Sequence, residues 1–102
     1  MDRYIEFLDG VISRLQAEGM SLAASDRNDE AALVKVRANV YGICRTIVTV
    51  LDAEGYRKKL DNLRDTWSRA LEMANAHGDV KQAVIEEIKL EALAEAAAQF
   101  GR

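Results

Sequence analysis

Apolar side chains recur at alternating steps of three and four residues along most of this chain, a spacing that places them on one side of an α-helix. Polar or glycine-containing segments interrupt the pattern three times. The pattern therefore predicts four helices, over about 2–24, 29–53, 56–76 and 80–100. Helices of this length with short links pack against one another as antiparallel neighbours. We expect an all-α fold, a small antiparallel bundle of four helices, in a single domain spanning 1–102. An alternative has three helices and a fourth that is swapped or forms a dimer.

Helix 2 has the widest apolar side. Its aliphatic and aromatic positions cover an arc of roughly 200°, whereas a stripe that faces one neighbour needs about half of that. A helix of this kind must be covered by at least two others, so helix 2 is predicted to be the central member of the bundle. The positions that form the arc are Leu33, Val34, Val36, Val40, Tyr41, Ile43, Cys44, Ile47, Val48, Val50 and Leu51.

Glycines and capping residues predict where the helices end. Gly55 and Gly78 are natural residues to follow a helix, because glycine enters the left-handed backbone region without penalty. The segment 25–30 supplies several N-cap side chains, and Asp79 with Gln82 has the spacing of a capping box. Gly19 leaves two alternatives open: it allows close approach of another helix, or it ends helix 1 early.

Helices 3 and 4 differ in how their apolar residues are arranged. Helix 3 has one narrow stripe and is predicted to be an outer helix, with Tyr56, Leu60, Leu63, Trp67, Ala70 and Ala74 on its buried edge. Helix 4 is less regular, and its glutamates are expected to cluster on the exposed side, with Leu90 among them, at Glu86, Glu87 and Glu91. Leu90 with the alanines around it suggests a second contact surface. Alternatively, alanines are simply good helix formers, and single surface leucines are common.

Composition and charge narrow the function classes. The chain has 102 residues, of which 49% are hydrophobic and 30% charged, as in an ordinary folded soluble domain. Its apolar runs are too short for a membrane span, and its first residues do not have the pattern of a signal peptide. The net charge of −3 argues against nucleic-acid binding. We therefore expect a cytoplasmic protein with neither a membrane nor a nucleic-acid partner.

The chain is poor in side chains that carry catalysis or bind metals. His77 is the only histidine and Cys44 the only cysteine, so the usual zinc sites and sites with two imidazoles are excluded. Ala74 stands three residues before His77, where a di-iron bundle has a glutamate. The sequence predicts no catalytic residue, no metal and no cofactor, which disfavours an enzyme. The single cysteine agrees with a reducing compartment.

Arg37 lies in the middle of the apolar side of helix 2. An uncompensated buried charge would cost several kcal/mol. The guanidinium must therefore reach the rim of the bundle or pair with a carboxylate such as Asp9 or Glu95. The functional alternative is that Arg37 forms a fork for an anionic ligand or for the carboxylate of a partner.

Two functions are compatible with these patterns. A small bundle buries a limited fraction of its surface, so the excess apolar width of helices 2 and 4 predicts a non-enzymatic protein–protein interaction module. Its partner would be a second copy, in a homodimer, or another helical protein, and Leu90 would contribute to the contact. The alternative is a small-ligand-binding bundle with an inter-helix pocket around Arg37, Tyr41, Cys44 and Trp67. The segment 26–44 resembles bacterial helical proteins in general character, without a motif that carries a known activity.

Overall fold

The protein is described by a computed structural model over residues 2–101, and this part of the chain is folded into four α-helices. They are α1 (Asp2–Ala24), α2 (Asn28–Val50), α3 (Ala53–Ala76) and α4 (Val80–Gln99). The predicted all-α, four-helix architecture is confirmed. The predicted domain also includes positions 1 and 102, which lie outside the described residues. None of the helices within 2–101 is long and apolar enough to cross a membrane.

The helices form two hairpins, α1 with α2 and α3 with α4, which join mainly through α2 and α4. Leu33 near the start of α2 lies beside Ile85 near the start of α4. Further along, Arg37 reaches Glu91 and Glu95, so α2 and α4 run in the same direction. α2 also contacts α3 over a smaller area. Helix α2 thus contacts all three other helices, as its wide apolar arc predicts.

The molecule is flat, with extents of 37 × 35 × 19 Å. Its radius of gyration of 14.4 Å exceeds the roughly 13 Å expected for a compact chain of this length. The flatness arises because α1 and α3 occupy outer positions and the two hairpins meet through α2 and α4. As a result, α2 has neighbours on two flanks but leaves one side uncovered on a broad face of the molecule.

The core draws residues from all four helices. Tyr4, Leu8, Val11 and Leu15 are buried on α1. The buried residues of α3 all belong to its predicted stripe and are Tyr56, Leu60, Trp67 and Ala74. The prediction that helix 3 buries a single edge is therefore confirmed.

Burial on α2 covers less than the full apolar arc. Val40, Tyr41, Cys44 and Val48 are buried. By contrast, Ile43 is 39% exposed, Leu51 38% and Val50 75%. Although α2 is central, the other helices of the chain cover only part of its apolar surface.

The link between α2 and α3 differs from the prediction based on Gly55. α2 ends at Val50, three residues earlier than predicted, because Leu51 takes an extended conformation with φ −111° and ψ 152°. The side chain of Asp52 then accepts a hydrogen bond of 2.7 Å from the backbone N–H of Gly55 and caps α3. Gly55 therefore lies in the first turn of α3, and its predicted place after helix 2 was wrong.

The other links follow the predictions in part. Gly78 has φ +67°, as expected for a residue that follows a helix, and Asp79 accepts from the backbone N–H of Gln82 at 3.0 Å. Before α2, the expected side-chain cap is absent, because Arg27 occupies the N-cap position and makes no capping bond. Its guanidinium pairs with Glu30 instead.

Helix α1 continues through Gly19 to Ala24, so the alternative in which helix 1 ends early is wrong. Gly19 faces Val34 of α2, and a Cβ atom at this position would lie 3.7 Å from the Val34 side chain. That distance is an ordinary van der Waals contact, so helix packing does not require glycine here.

Candidate functional site

The Arg37 side chain forms a fork between α2 and α4. Its Nη1 donates to Glu95 Oε1 at 3.0 Å and its Nη2 to Glu91 Oε1 at 2.9 Å. The hydroxyl of Tyr41 donates to the same Glu95 oxygen at 3.2 Å. The Arg37 side chain is 23% exposed, and both carboxylates are about half exposed. The guanidinium therefore reaches the rim of the bundle and pairs within its own chain.

Replacing Arg37 with methionine is expected to change the free energy of unfolding by less than about 1 kcal/mol. Ion pairs of this exposure contribute little, since water screens them and two long side chains lose freedom to form them. Thermal and urea denaturation measure the change. A loss above about 2 kcal/mol would contradict this view of the pair. Loss of self-association with the fold intact would instead show that Arg37 acts at a partner.

Cys44 is fully buried in the core, where its thiol lies beside the Tyr56 hydroxyl. Burial raises the pKa of this thiol above its ordinary value. Since the thiolate is the reactive form, a raised pKa makes Cys44 a poor nucleophile and metal ligand. Its place in the structure is that of a packing residue.

Two buried tyrosines form a hydrogen-bonded chain that ties together α1, α3 and α4. The Tyr4 hydroxyl donates to the backbone oxygen of Ala96 at 2.9 Å, so the Tyr56 hydroxyl must donate in the Tyr4–Tyr56 bond of 2.6 Å. Burial raises the pKa of Tyr4 to about 12, and burial also raises the pKa of Tyr56. Both hydroxyls stay neutral at ordinary pH, and each has a partner, as buried polar groups require.

Trp67 belongs to a polar cluster between α3 and α4. The Nζ atom of Lys89 lies 4.7 Å from the centroid of the Trp67 ring and 2.9 Å from Glu86 Oε1. The amide of Gln82 donates to Glu86 Oε2 at 2.6 Å. Glu86 is only 2% exposed. The cluster thus holds a buried carboxylate with a cation and an amide around it.

The burial of Glu86 corrects the expectation that it lies in an exposed acidic group on helix 4. α3 packs over this side of α4, where Ala74 and Ala83 are buried as well. A signal was present in the sequence: Gln82 and Lys89 lie four residues before and three residues after Glu86, on the same side of the helix. Apolar periodicity alone could not find it, because it assigns every glutamate to the solvent.

Leu90 lies in a surface groove of about 610 Å³ between α3 and α4. It is partly buried rather than exposed, while the three neighbouring alanines are exposed. The groove combines apolar side chains with one ion pair along its α3 edge, and its lining is Leu60, Asp61, Arg64, Ser68, Leu90, Leu93, Ala94, Ala97 and Ala98.

The residues proposed for a ligand pocket do not converge. Glu95 brings Arg37 and Tyr41 together, whereas Cys44 lies in the core and Trp67 packs under Lys89. Five surface grooves within residues 2–101 are lined by other residues and by none of these four. Within the same range, no three His, Cys, Asp or Glu side chains are placed to hold a metal ion.

The uncovered side of α2 lies between two further grooves. One runs between α1 and α2, lined by residues such as Ile12, Gly19, Met20, Ala38 and Ile43, and the other runs between α2 and α4, lined by residues such as Leu33, Val36, Val84 and Ile85. Ala32 lines grooves on both flanks of α2. The two grooves and the exposed side of α2 therefore form one continuous, largely apolar surface, which we call the α2 outer face.

Comparisons of this chain with family models, with curated proteins and with solved structures give no match. Among the described residues, the linings of the α2 outer face and of the α3–α4 groove include no histidine and no cysteine.

Proposed function

We propose that this protein is a non-enzymatic helical interaction module that associates with a second copy of itself as a homodimer. One observation carries the proposal: the central helix α2 keeps apolar side chains uncovered on a broad face of the molecule. Ile43 is 39% exposed and Val50 75%. These side chains belong to a helix that already packs against all three of its neighbours in the chain.

The physical basis is the free energy gained when apolar surface leaves water. Continuous exposed apolar surface on a small protein marks a place of association. The flat shape adds to this: within residues 2–101, none of the four helices covers the outer side of α2, and the molecule is 19 Å thick. Among assemblies of identical chains, two-fold dimers are the most common.

Another helical protein is the alternative partner, and the α3–α4 groove beside Leu90 offers a second surface for it. We also propose a cytoplasmic location. A buried, unpaired thiol at Cys44 is compatible with a reducing compartment. A small-ligand-binding function finds no specific support, since of its four residues only Arg37 and Tyr41 share a contact, through Glu95.

Light scattering or sedimentation equilibrium of the full chain at micromolar concentrations tests the proposal. The expected mass is twice the chain mass of 11.3 kDa. A mass equal to one chain over the whole concentration range would overturn the homodimer. A helical partner of different sequence would then be the interaction left to test.

A further inference from the structure

We propose that the homodimer forms by parallel packing of α2 against α2 of the second copy, along a heptad seam on the α2 outer face. This inference rests on the proposed function and assigns it a surface. The residues of the seam, which we call the outer seam, lie at steps of four, three, four, three and four, and they are Ala32, Val36, Asn39, Ile43, Thr46 and Val50.

The spacing of the outer seam is that of a coiled coil. Steps that alternate between four and three residues place side chains on one line along a helix, where they insert between those of a facing helix. The first position of each heptad holds Val36, Ile43 and Val50, which is the β-branched pattern of parallel two-stranded coiled coils. The fourth position, usually leucine in such pairs, holds Ala32, Asn39 and Thr46. The seam spans 18 residue steps, which is about 27 Å at 1.5 Å per residue. It therefore extends over most of α2.

The outer seam is separate from the surface that α2 uses inside its own chain. Four of its members, Ala32, Asn39, Thr46 and Val50, are exposed, Ile43 is 39% exposed and Val36 is partly buried. The core of the chain uses a different line of α2, through Val40, Tyr41, Cys44 and Val48. Packing within the chain explains why the buried residues of α2 are apolar. It does not explain why α2 has a second heptad repeat on its exposed side.

A second copy is the occupant that the outer seam fits. Between Ala32 and Val50 the seam contains no charged residue, whereas Asp29, one heptad before Val36, lies in the groove between α2 and α4. The whole broad face of the molecule measures 37 by 35 Å, and a dimer of standard size buries about 800 Å² on each partner. The face that contains the seam is thus large enough for such an interface.

Asn39, which with Thr46 is one of two polar residues of the seam, favours the parallel orientation. In a parallel pair, Asn39, at the fourth heptad position, faces Asn39 of the partner, and the two side-chain amides can hydrogen-bond to each other. In an antiparallel pair centred on the seam, Asn39 faces Ile43, and a buried amide without a partner is unfavourable.

The parallel two-fold axis also places α1 over α4 of the partner. Exposed Met20 then approaches exposed Val84, which lies on the opposite flank of the seam.

Substitution of the seam tests the surface. The Ile43→Asp variant is expected to weaken dimerisation by at least about thirtyfold, because it places a charge at a central contact. Val50→Asp, at a site that is 75% exposed, should weaken dimerisation without disturbing the core. Met73→Asp is the matched control, since Met73 is 59% exposed on α3, away from the seam. Circular dichroism confirms folding, and sedimentation equilibrium gives the dissociation constants.

Disulfide trapping tests the orientation. Under mild oxidation, the Asn39→Cys variant is expected to form a covalent dimer faster than Met73→Cys, because identical seam positions face each other in a parallel pair. The wild-type chain is the background control, since its thiol at Cys44 is fully buried. If Asn39→Cys forms a dimer only when mixed with Ile43→Cys, the pair is antiparallel, and the parallel orientation is overturned.

The outcomes separate this inference from the proposed function. A wild-type chain that is monomeric overturns both. A dimeric wild type that remains equally dimeric when Val50→Asp and a folded Ile43→Asp are introduced overturns the outer seam and leaves the homodimer standing. Weakened dimerisation in the two seam variants, with Met73→Asp unaffected, supports the seam.

Discussion

Replacing Tyr56 with alanine is expected to lower the free energy of unfolding by about 3–5 kcal/mol, the largest effect of any single substitution considered for this protein. Tyr56 is 0% exposed, and its ring packs edge-on against Tyr4 and Phe100 at centroid distances of 5.8 and 4.8 Å. Truncation removes these contacts and leaves a cavity between α1, α3 and α4. Urea denaturation at a fixed protein concentration measures the change, because dimerisation also contributes to the observed stability.

Two further variants separate the ring of Tyr56 from its hydroxyl. Tyr56→Phe is expected to lose about 0.5–1.5 kcal/mol, since it removes only the bond to Tyr4, which still donates to Ala96. Met73→Ala, on the exposed surface of α3, should change stability by less than about 0.5 kcal/mol. If Tyr56→Ala were no worse than the Met73 control, Tyr56 would not be a core residue.

Replacing Lys89 with methionine is expected to destabilise the protein by about 2–3 kcal/mol, because it leaves the buried carboxylate of Glu86 without a cation. The expected loss of stability is smaller than for breaking a fully buried ion pair, because the Lys89 side chain is 24% exposed, although that of Glu86 is only 3% exposed. Methionine keeps an apolar side chain over the Trp67 ring, so the loss reports mainly the charge. Thermal and urea unfolding curves measure it.

A double variant tests whether charge is the cause. Adding Glu86→Gln to Lys89→Met removes the uncompensated charge, and most of the lost stability should return. Lys58→Met is the matched control, because the Lys58–Glu54 pair is exposed at both ends and should contribute less than about 0.5 kcal/mol. A double variant as unstable as the single one would mean that the lysine acts through packing on Trp67, and the charge explanation would fail.

The flat arrangement of helices connects the fold with the proposed function. In a closed four-helix bundle each helix shares its apolar side among its neighbours, and little is left over. Here α1 and α3 lie at the outside, and α2, although central, keeps an apolar side in water. The same topology that gives α2 its central place therefore also supplies the surface on which a second copy can dock.

Much of the fold could be predicted from periodicity alone. The bounds of helix 1 were predicted correctly, and the narrow stripe of helix 3 is its buried edge. Apolar residues spaced at three and four have to gather on one side of a helix, whatever that helix packs against. Gly78 ends α3 for a similarly local reason, because its φ of +67° suits glycine best.

Less of the candidate site could be predicted. The sequence predicts that Arg37 reaches the rim of the bundle or pairs with a carboxylate such as Asp9 or Glu95. Glu95 is one of its partners, and Glu91, which is exposed as expected, is a second that the sequence did not indicate. Glu86 was missed because burial of a carboxylate depends on the helix that covers it. Gly55 was misplaced because the side chain of Asp52 caps α3 earlier than the glycine suggested.

The sequence by itself determined the helices, the central place of α2 and the residue types available for chemistry, because these depend on local periodicity and composition. Only the tertiary structure decided which side of α2 stays in water, that α2 runs beside α4 in the same direction, and that Glu86 is enclosed with Lys89 and Trp67. The physical reason is that periodicity fixes the face of a helix, while the helix that covers that face is selected by contacts between segments far apart in the chain.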